Sequence, residues 1–170
     1  AADAATTTNY LTCVGYNAGT AIDSADADAT TAIGKSALAA LRSGQGSTAL
    51  GNNASLSVTT GDYNTALGFN AGKFNQTGSN NTYVGNSAGL GVSGNQHSYN
   101  TAVGMNALLN ITTGGQNSVL GQNAGDALTT GQLNCIIGQS AGSVSTDVDK
   151  TVLIGVDAGN GALDSDADGT

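Results

Sequence analysis

Apolar and small residues along the chain fall into columns with a long period, not into helical stripes. An aliphatic residue followed by glycine recurs with the glycine at Gly15, Gly34, Gly51, Gly68, Gly85, Gly104, Gly121, Gly138 and Gly155, at spacings of 17 residues broken twice by 19. Three residues after each glycine stands an alanine: Ala18, Ala37, Ala54, Ala71, Ala88, Ala107, Ala124, Ala141 and Ala158. Self-similarity at a fixed period identifies a repeat architecture whose units share one continuous core. One 19-residue unit and three of 17 form a higher repeat of 70 residues. It relates Gly15, Gly85 and Gly155, the pairs Ala37-Leu38 and Ala107-Leu108, and the Thr-Thr-Gly turns at 59–61 and 129–131.

The plainest copy of the unit, residues 64–72, reads Asn-Thr-Ala-Leu-Gly-Phe-Asn-Ala-Gly. The segment from Asn to Leu predicts a short strand, and Gly-x-Asn-Ala-Gly predicts a corner built from residues that tolerate positive φ. The variable stretch (Leu56 to Val58, Ala127-Leu128) predicts a second strand, and Thr-Thr-Gly closes the circuit. Such a unit is too short for a βαβ crossover but suits one coil of a stacked solenoid. The expected fold is all-β: a parallel β-solenoid (β-roll or β-helix) of about nine coils of 17–19 residues. At about 4.8 Å per coil the rod is on the order of 40 Å long. Residues 1–8 read as a lead-in and 9–170 as a single array that stops inside a coil. The residue before each glycine is aliphatic and the one before that is apolar too, from Cys13 and Ala32 to Ile136 and Leu153. A strand apolar on both faces is covered on both. The expected outer cover is another copy of the chain, in a homotrimer or another bundle.

Composition removes other classes. Glycine is 26 of 170 residues, proline is absent and only 9% are charged, against about 25% in an average domain. All 12 acidic residues are Asp, and with 4 basic ones they give a net charge of -8. That balance provides no positive footprint for nucleic acid. No apolar run approaches the roughly 20 residues of a membrane span, so no membrane insertion is expected.

The stretch Thr30-Thr-Ala-Ile-Gly-Lys-Ser-Ala37 resembles the head repeats of trimeric autotransporter adhesins. With Thr-Thr-Gly added, the unit is similar to repeat arrays of bacteriophage tail fibres. The resemblance runs from about Asn9 to Gly159 and differs from the adhesin heads in its longer period. It implies three chains associated in one extracellular fibre, on a virion or cell surface, with an adhesive or spacer role and no catalytic residues. The aliphatic-Gly-x-x-Ala core also fits the hexapeptide of left-handed β-helix acyltransferases. There the hexad recurs three times per coil; here it appears once per unit.

Candidate chemistry is sparse. Asp23, Asp26 and Asp28 form one acidic cluster, and Asp164, Asp166 and Asp168 another. The second has the alternate-carboxylate spacing and trailing glycine of a calcium loop. It lacks a distal bidentate ligand, and a solvated acidic loop is the preferred reading; otherwise no cofactor is expected. His97 is the only histidine, so no triad or multi-histidine metal site forms within one chain. It reads as a surface histidine in a long coil. With Tyr99 and the Asp23–Asp28 cluster it marks the loops expected to meet a receptor, with cell-surface carbohydrate as the proposed ligand. Gly34-Lys35-Ser36 echoes a phosphate loop, but Ala29 stands where that motif needs glycine. Cys13 and Cys135 lie roughly 30 Å apart at about 4.8 Å per coil, beyond disulfide reach, and read as small buried residues. Asn53, Asn75, Asn80 and Asn110 begin glycosylation sequons of the kind an Asn- and Thr-rich chain produces readily. The threonine column (Thr12, Thr31, Thr48, Thr65, Thr82, Thr101) suggests an ice-binding face. Each Thr is followed two residues on by an aliphatic, so the column reads instead as a ladder bordering the core.

The sequence thus predicts a non-enzymatic fibre shaft whose length is set by repeat number. A self-assembling filament subunit is the nearest rival.

Overall fold

The structure, a computed structural model, describes residues 10–22 and 27–161. Asp23 and Asp26 of the first acidic cluster, and Asp164, Asp166 and Asp168 of the second, lie outside the described residues. Each repeat contributes one three-residue strand: β1 (Thr12–Val14), β2 (Thr31–Ile33), β3 (Thr48–Leu50), β4 (Thr65–Leu67), β5 (Thr82–Val84), β6 (Thr101–Val103), β7 (Ser118–Leu120), β8 (Cys135–Ile137) and β9 (Val152–Ile154). They form a single parallel sheet in chain order, β1 to β9. The register is strict: Thr31 pairs Thr48, Ala49 pairs Ala66, and Leu67 pairs Val84. The chain is a parallel β-solenoid.

The predicted second strand is not formed. Residues 52–57 and 122–127 are turns, and the described part of each coil holds one strand. Positive φ at Asn53 (57°) and Ser55 (49°) bends the segment too sharply for extended backbone. The turns still stack: Leu38 N donates to Ala54 O (3.0 Å), Ala40 N to Leu56 O (3.2 Å) and Arg42 N to Thr59 O (2.8 Å). A coil is therefore held to the next around its circuit, through turns as well as strands.

The repeat glycine has a double cause. Gly68 has φ +140°, and a Cβ there would run into the carbonyl of Gly85 in the next coil. Only a residue without a side chain satisfies both the backbone twist and the close approach of stacked corners.

The middle residue of each strand points inward. Ala32, Ala49, Ala66, Ala102 and Ile136 are fully buried, and so are the alanines three residues after each glycine from Ala18 to Ala141. The interior is filled by compensation within a coil. Where the strand contributes Ala32 or Ala102, the second corner residue is Leu38 or Leu108, both fully buried. Where the strand contributes Val119, Ile136 or Leu153, that corner residue is Gly125, Gly142 or Gly159. The Ala-Leu pairs that mark the 70-residue period are volume matches of this kind.

A polar ladder runs beside this core. Four residues before the repeat glycines stand Asn64, Asn81, Asn100, Asn117 and Asn134, all buried. Each amide oxygen accepts from the backbone N–H of the next member, as in Asn100 N to Asn81 Oδ1 (3.0 Å) and Asn117 N to Asn100 Oδ1 (3.1 Å). Each Nδ2 donates to a carbonyl across the coil, such as Asn100 to Gly114 (3.0 Å) and Asn117 to Gly131 (2.9 Å). Thr151 N closes the ladder on Asn134 Oδ1 at 2.9 Å. Buried amides satisfied in this way lose little on leaving water and fix the register of successive coils.

Candidate functional site

Two features stand apart from the repeating frame: the outward face of the sheet, and a buried cluster in the fifth coil.

Because strand residues alternate, the threonine column and the aliphatic residue before each glycine share the face opposite the core. Val14, Leu50, Leu120, Ile137 and Ile154 are exposed there, and Ile33, Leu67, Val84 and Val103 are half-buried. The threonines do not border the core as the sequence suggested. Thr12 and Thr101 are exposed, and Thr31, Thr48, Thr65 and Thr82 are half-buried on the outward face. The cause is the narrow interior, which takes only the middle side chain of a three-residue strand.

The columns beside the strands extend this face. Tyr10, Tyr63, Tyr99 and Leu133 stand five residues before repeat glycines, all exposed and all at φ between 61° and 54°. Tyr16, Phe69, Met105 and Val156 follow the glycines and are exposed too. Tyr63 lies over the corner of the coil before it, where a Cβ at Gly46 would meet its ring at 2.6 Å. The outward side of the sheet thus carries threonine, aliphatic and scattered aromatic side chains in successive coils.

The second feature corrects the reading of His97. It is not a surface histidine: only 2% of it is exposed. Seven residues before the repeat glycines from Gly34 onward, Gly104 apart, the chain carries Ala27, Gly44, Gly61, Gly78, Gly114, Gly131 and Val148. His97 occupies this inward column in the second 19-residue coil. In coils such as those of Leu41, Val58, Ile111 and Leu128, a buried aliphatic seven residues after the glycine fills the interior. In the long coil the equivalent residue is Val92, which turns outward with Ser93 and Gly94, and the imidazole takes the space. Counting from the following glycine reveals this register; counting from the preceding one hides it.

Tyr83 meets His97 there. This fully enclosed phenol sits where neighbouring strands have alanine, and its ring packs against Gly72 and Gly89. Its Oη bonds His97 Nδ1 at 2.7 Å and donates to Asn81 Oδ1 at 3.0 Å. The rings meet edge to face with centroids 5.7 Å apart. Nε2 is buried with no hydrogen-bond partner. Asn75 secures the segment, accepting from His97 N (3.3 Å) and donating to His97 O (3.1 Å). Burial raises the Tyr83 pKa and lowers that of His97 to about 4.

The remaining candidates do not converge. Tyr99 is exposed while His97, two residues away, faces the interior, so they do not form one receptor surface. Asp28 is half-buried. No group of three or more His, Cys, Asp or Glu side chains suited to a metal occurs among the described residues. Asp126 keeps a buried carboxylate oxygen without a partner, and burial raises its pKa. Neither cysteine is fully buried. Cys13 is the inward member of its strand, with its Sγ beside Gly19, whereas Cys135 sits in the outward threonine column. Of the sequon asparagines, Asn75 is buried and Asn80 exposed. No helix among the described residues is long and apolar enough to cross a membrane. Comparison of the chain with protein-family models, with curated proteins and with solved structures finds no match in any of the three.

Proposed function

We propose that the chain is a non-enzymatic structural fibre segment, a stiff shaft in which copies pack through the outward sheet face. The observation that carries this reading is the aliphatic column. Nine strands in strict register each hold a Val, Ile or Leu outward, and the single rod leaves five of these exposed and four half-buried. Aliphatic side chains in a continuous stripe favour a cover, and a second solenoid of equal pitch matches the stripe coil for coil. A homotrimer about this face is the arrangement proposed. The role is the one implied by the resemblance to phage tail fibres and adhesin heads: an extracellular spacer on a virion or cell surface. Surface carbohydrate meeting exposed corner residues such as Tyr99 is the proposed receptor contact.

Light scattering coupled to size exclusion tests the assembly. A discrete mass of three chains supports the trimer, and a mass that grows with concentration favours the filament. A single-chain mass at micromolar concentration overturns both. Val103→Asp with Leu67→Asp, both on the outward face, is expected to yield single chains that keep their β-sheet circular dichroism.

One observation favours a second reading. The outward placement of six successive threonines gives a rank of hydroxyl and methyl groups at the strand spacing of about 4.8 Å. A surface of this kind can order water, and thermal hysteresis together with single-chain mass would move the assignment to ice binding.

A further inference from the structure

The His97 cluster has a property the rest of the rod lacks. Elsewhere among the described residues the interior is chiefly aliphatic side chains, alanine and the closed asparagine ladder. In the fifth coil an imidazole fills the interior, held on one side by Tyr83 Oη at 2.7 Å. Its other nitrogen has no partner. Nε2 faces Gly91, where an added Cβ would lie 2.9 Å from it. The groups facing the ring or securing its segment are Tyr83 on β5, Gly91, and the side-chain amides of Asn75 and Asn81; none is charged. Tyr83 is the one other titratable group in contact with it, and burial keeps the phenol neutral. A second proton on the ring therefore creates a buried cation whose Nε2–H has no acceptor and which faces no counter-charge, a state that burial strongly disfavours.

The coil around it is also less closed than its neighbours. Val92, Ser93 and Gly94 bulge into solvent. Inward-facing His97 thus replaces an aliphatic plug beside an exposed loop.

We infer that the fifth coil is an acid-operated release point: protonation of His97 expels the imidazole from the interior and opens this coil while coils on either side remain stacked. Repeat stacks permit such local opening because each coil contacts chiefly its neighbours. The sign follows from linkage. The folded-state pKa of about 4 lies below the usual 6.5, so the closed coil binds fewer protons than the open one between those values. Closure is fully favoured above about 6.5 and is lost as pH falls, with the opening equilibrium rising roughly tenfold per pH unit down to about 4. Asp126, whose pKa burial raises, has the opposite sign and cannot cause the loss.

Hydrogen exchange on the full chain between pH 7 and pH 4, corrected for intrinsic rates, tests this directly. The amides of Gly78, Asn81, His97 and Asn100, all bonded to asparagine side chains of this region, are expected to lose protection. Those of Cys135 and Gly138 keep it. His97→Leu retains an apolar plug and abolishes the acid response. The one histidine also gives a single Cε1 proton resonance, so its titration is readable without any variant. A midpoint between 4 and 6.5 that coincides with the local opening supports the release point, including where His97→Leu fails to fold. Three results overturn it: titration at 6.5 with no loss of protection, an equal acid response in His97→Leu, or simultaneous loss along the whole rod.

Discussion

At the residue scale, the demands on single positions are steric and unusually local. Gly68→Ala places a methyl group against the Gly85 carbonyl and keeps φ at +140°, so both strain and a collision must be relieved. A loss of about 3 kcal/mol is expected, and urea denaturation measures it. Asn100 is held as tightly by polarity. Asn100→Ala strips partners from Asn117 N and Nδ2 and from the Gly114 carbonyl, all buried, and should cost about 3 kcal/mol. Asn100→Thr is expected to recover part of this, because Thr30, Ser47 and Thr151 stand in the same buried column. The ladder was open to inspection in the sequence, since Asn64, Asn81, Asn100, Asn117 and Asn134 recur at repeat spacing. The asparagine heads the expected strand in each of these copies, and recurrence alone does not reveal that its side chain is buried. His97 was misplaced for a related reason. Among the described residues its column is otherwise glycine, alanine or valine, and the two extra residues of the long coil shift it when the count runs forward.

At the element scale, each coil solves its own volume problem. In the coils of Ala32, Ala102, Val119, Ile136 and Leu153 a large side chain is contributed either by the strand or by the second corner position. Leu38→Gly alone empties the space beside Ala32 and is expected to cost about 4 kcal/mol. Leu38→Gly with Ala32→Ile reproduces the arrangement of Ile136 with Gly142 and should recover most of that loss, as a thermal melt of the double variant would show. The glycine period, the strands and their parallel order were legible because a corner that excludes a Cβ leaves an invariant mark in every copy. The turn geometry of the second half-coil was not. Residues such as Leu56 and Val58 alternate as strand residues do, and only the positive φ of their neighbours Asn53 and Ser55 reveals a turn. The facing of the strand was equally hidden. Its middle residue is mostly alanine, which suits interior and surface alike, so the aliphatic residue beside it looked like the core and is in fact the outer wall.

For the whole molecule, that outer wall determines what the rod can become. Cys135 offers an internal probe of it, being the one free thiol on the outward face, while Cys13 points inward. Copies packed in parallel through this face should cross-link through Cys135 under mild oxidation, and Cys135→Ser should abolish the band on non-reducing gels. Cys13→Ser should leave it unchanged. Cross-linking that instead depends on Cys13 would mean that the coil opens or that copies meet elsewhere.

The volume matching inside each coil bears on how the chain can change by inheritance. Where the large and small partners lie within one coil, a gene segment encoding that coil can be duplicated, deleted or exchanged without leaving a hole or a clash at the seam. Tyr83 breaks the rule, for its ring presses on Gly72 of the preceding coil as well as on Gly89 of its own. A crossover between the fourth and fifth coils would part the tyrosine from the glycine that makes room for it. Descendants of this array can therefore gain or lose length at most of its joints, while the joint beneath Tyr83 must pass from parent to offspring intact.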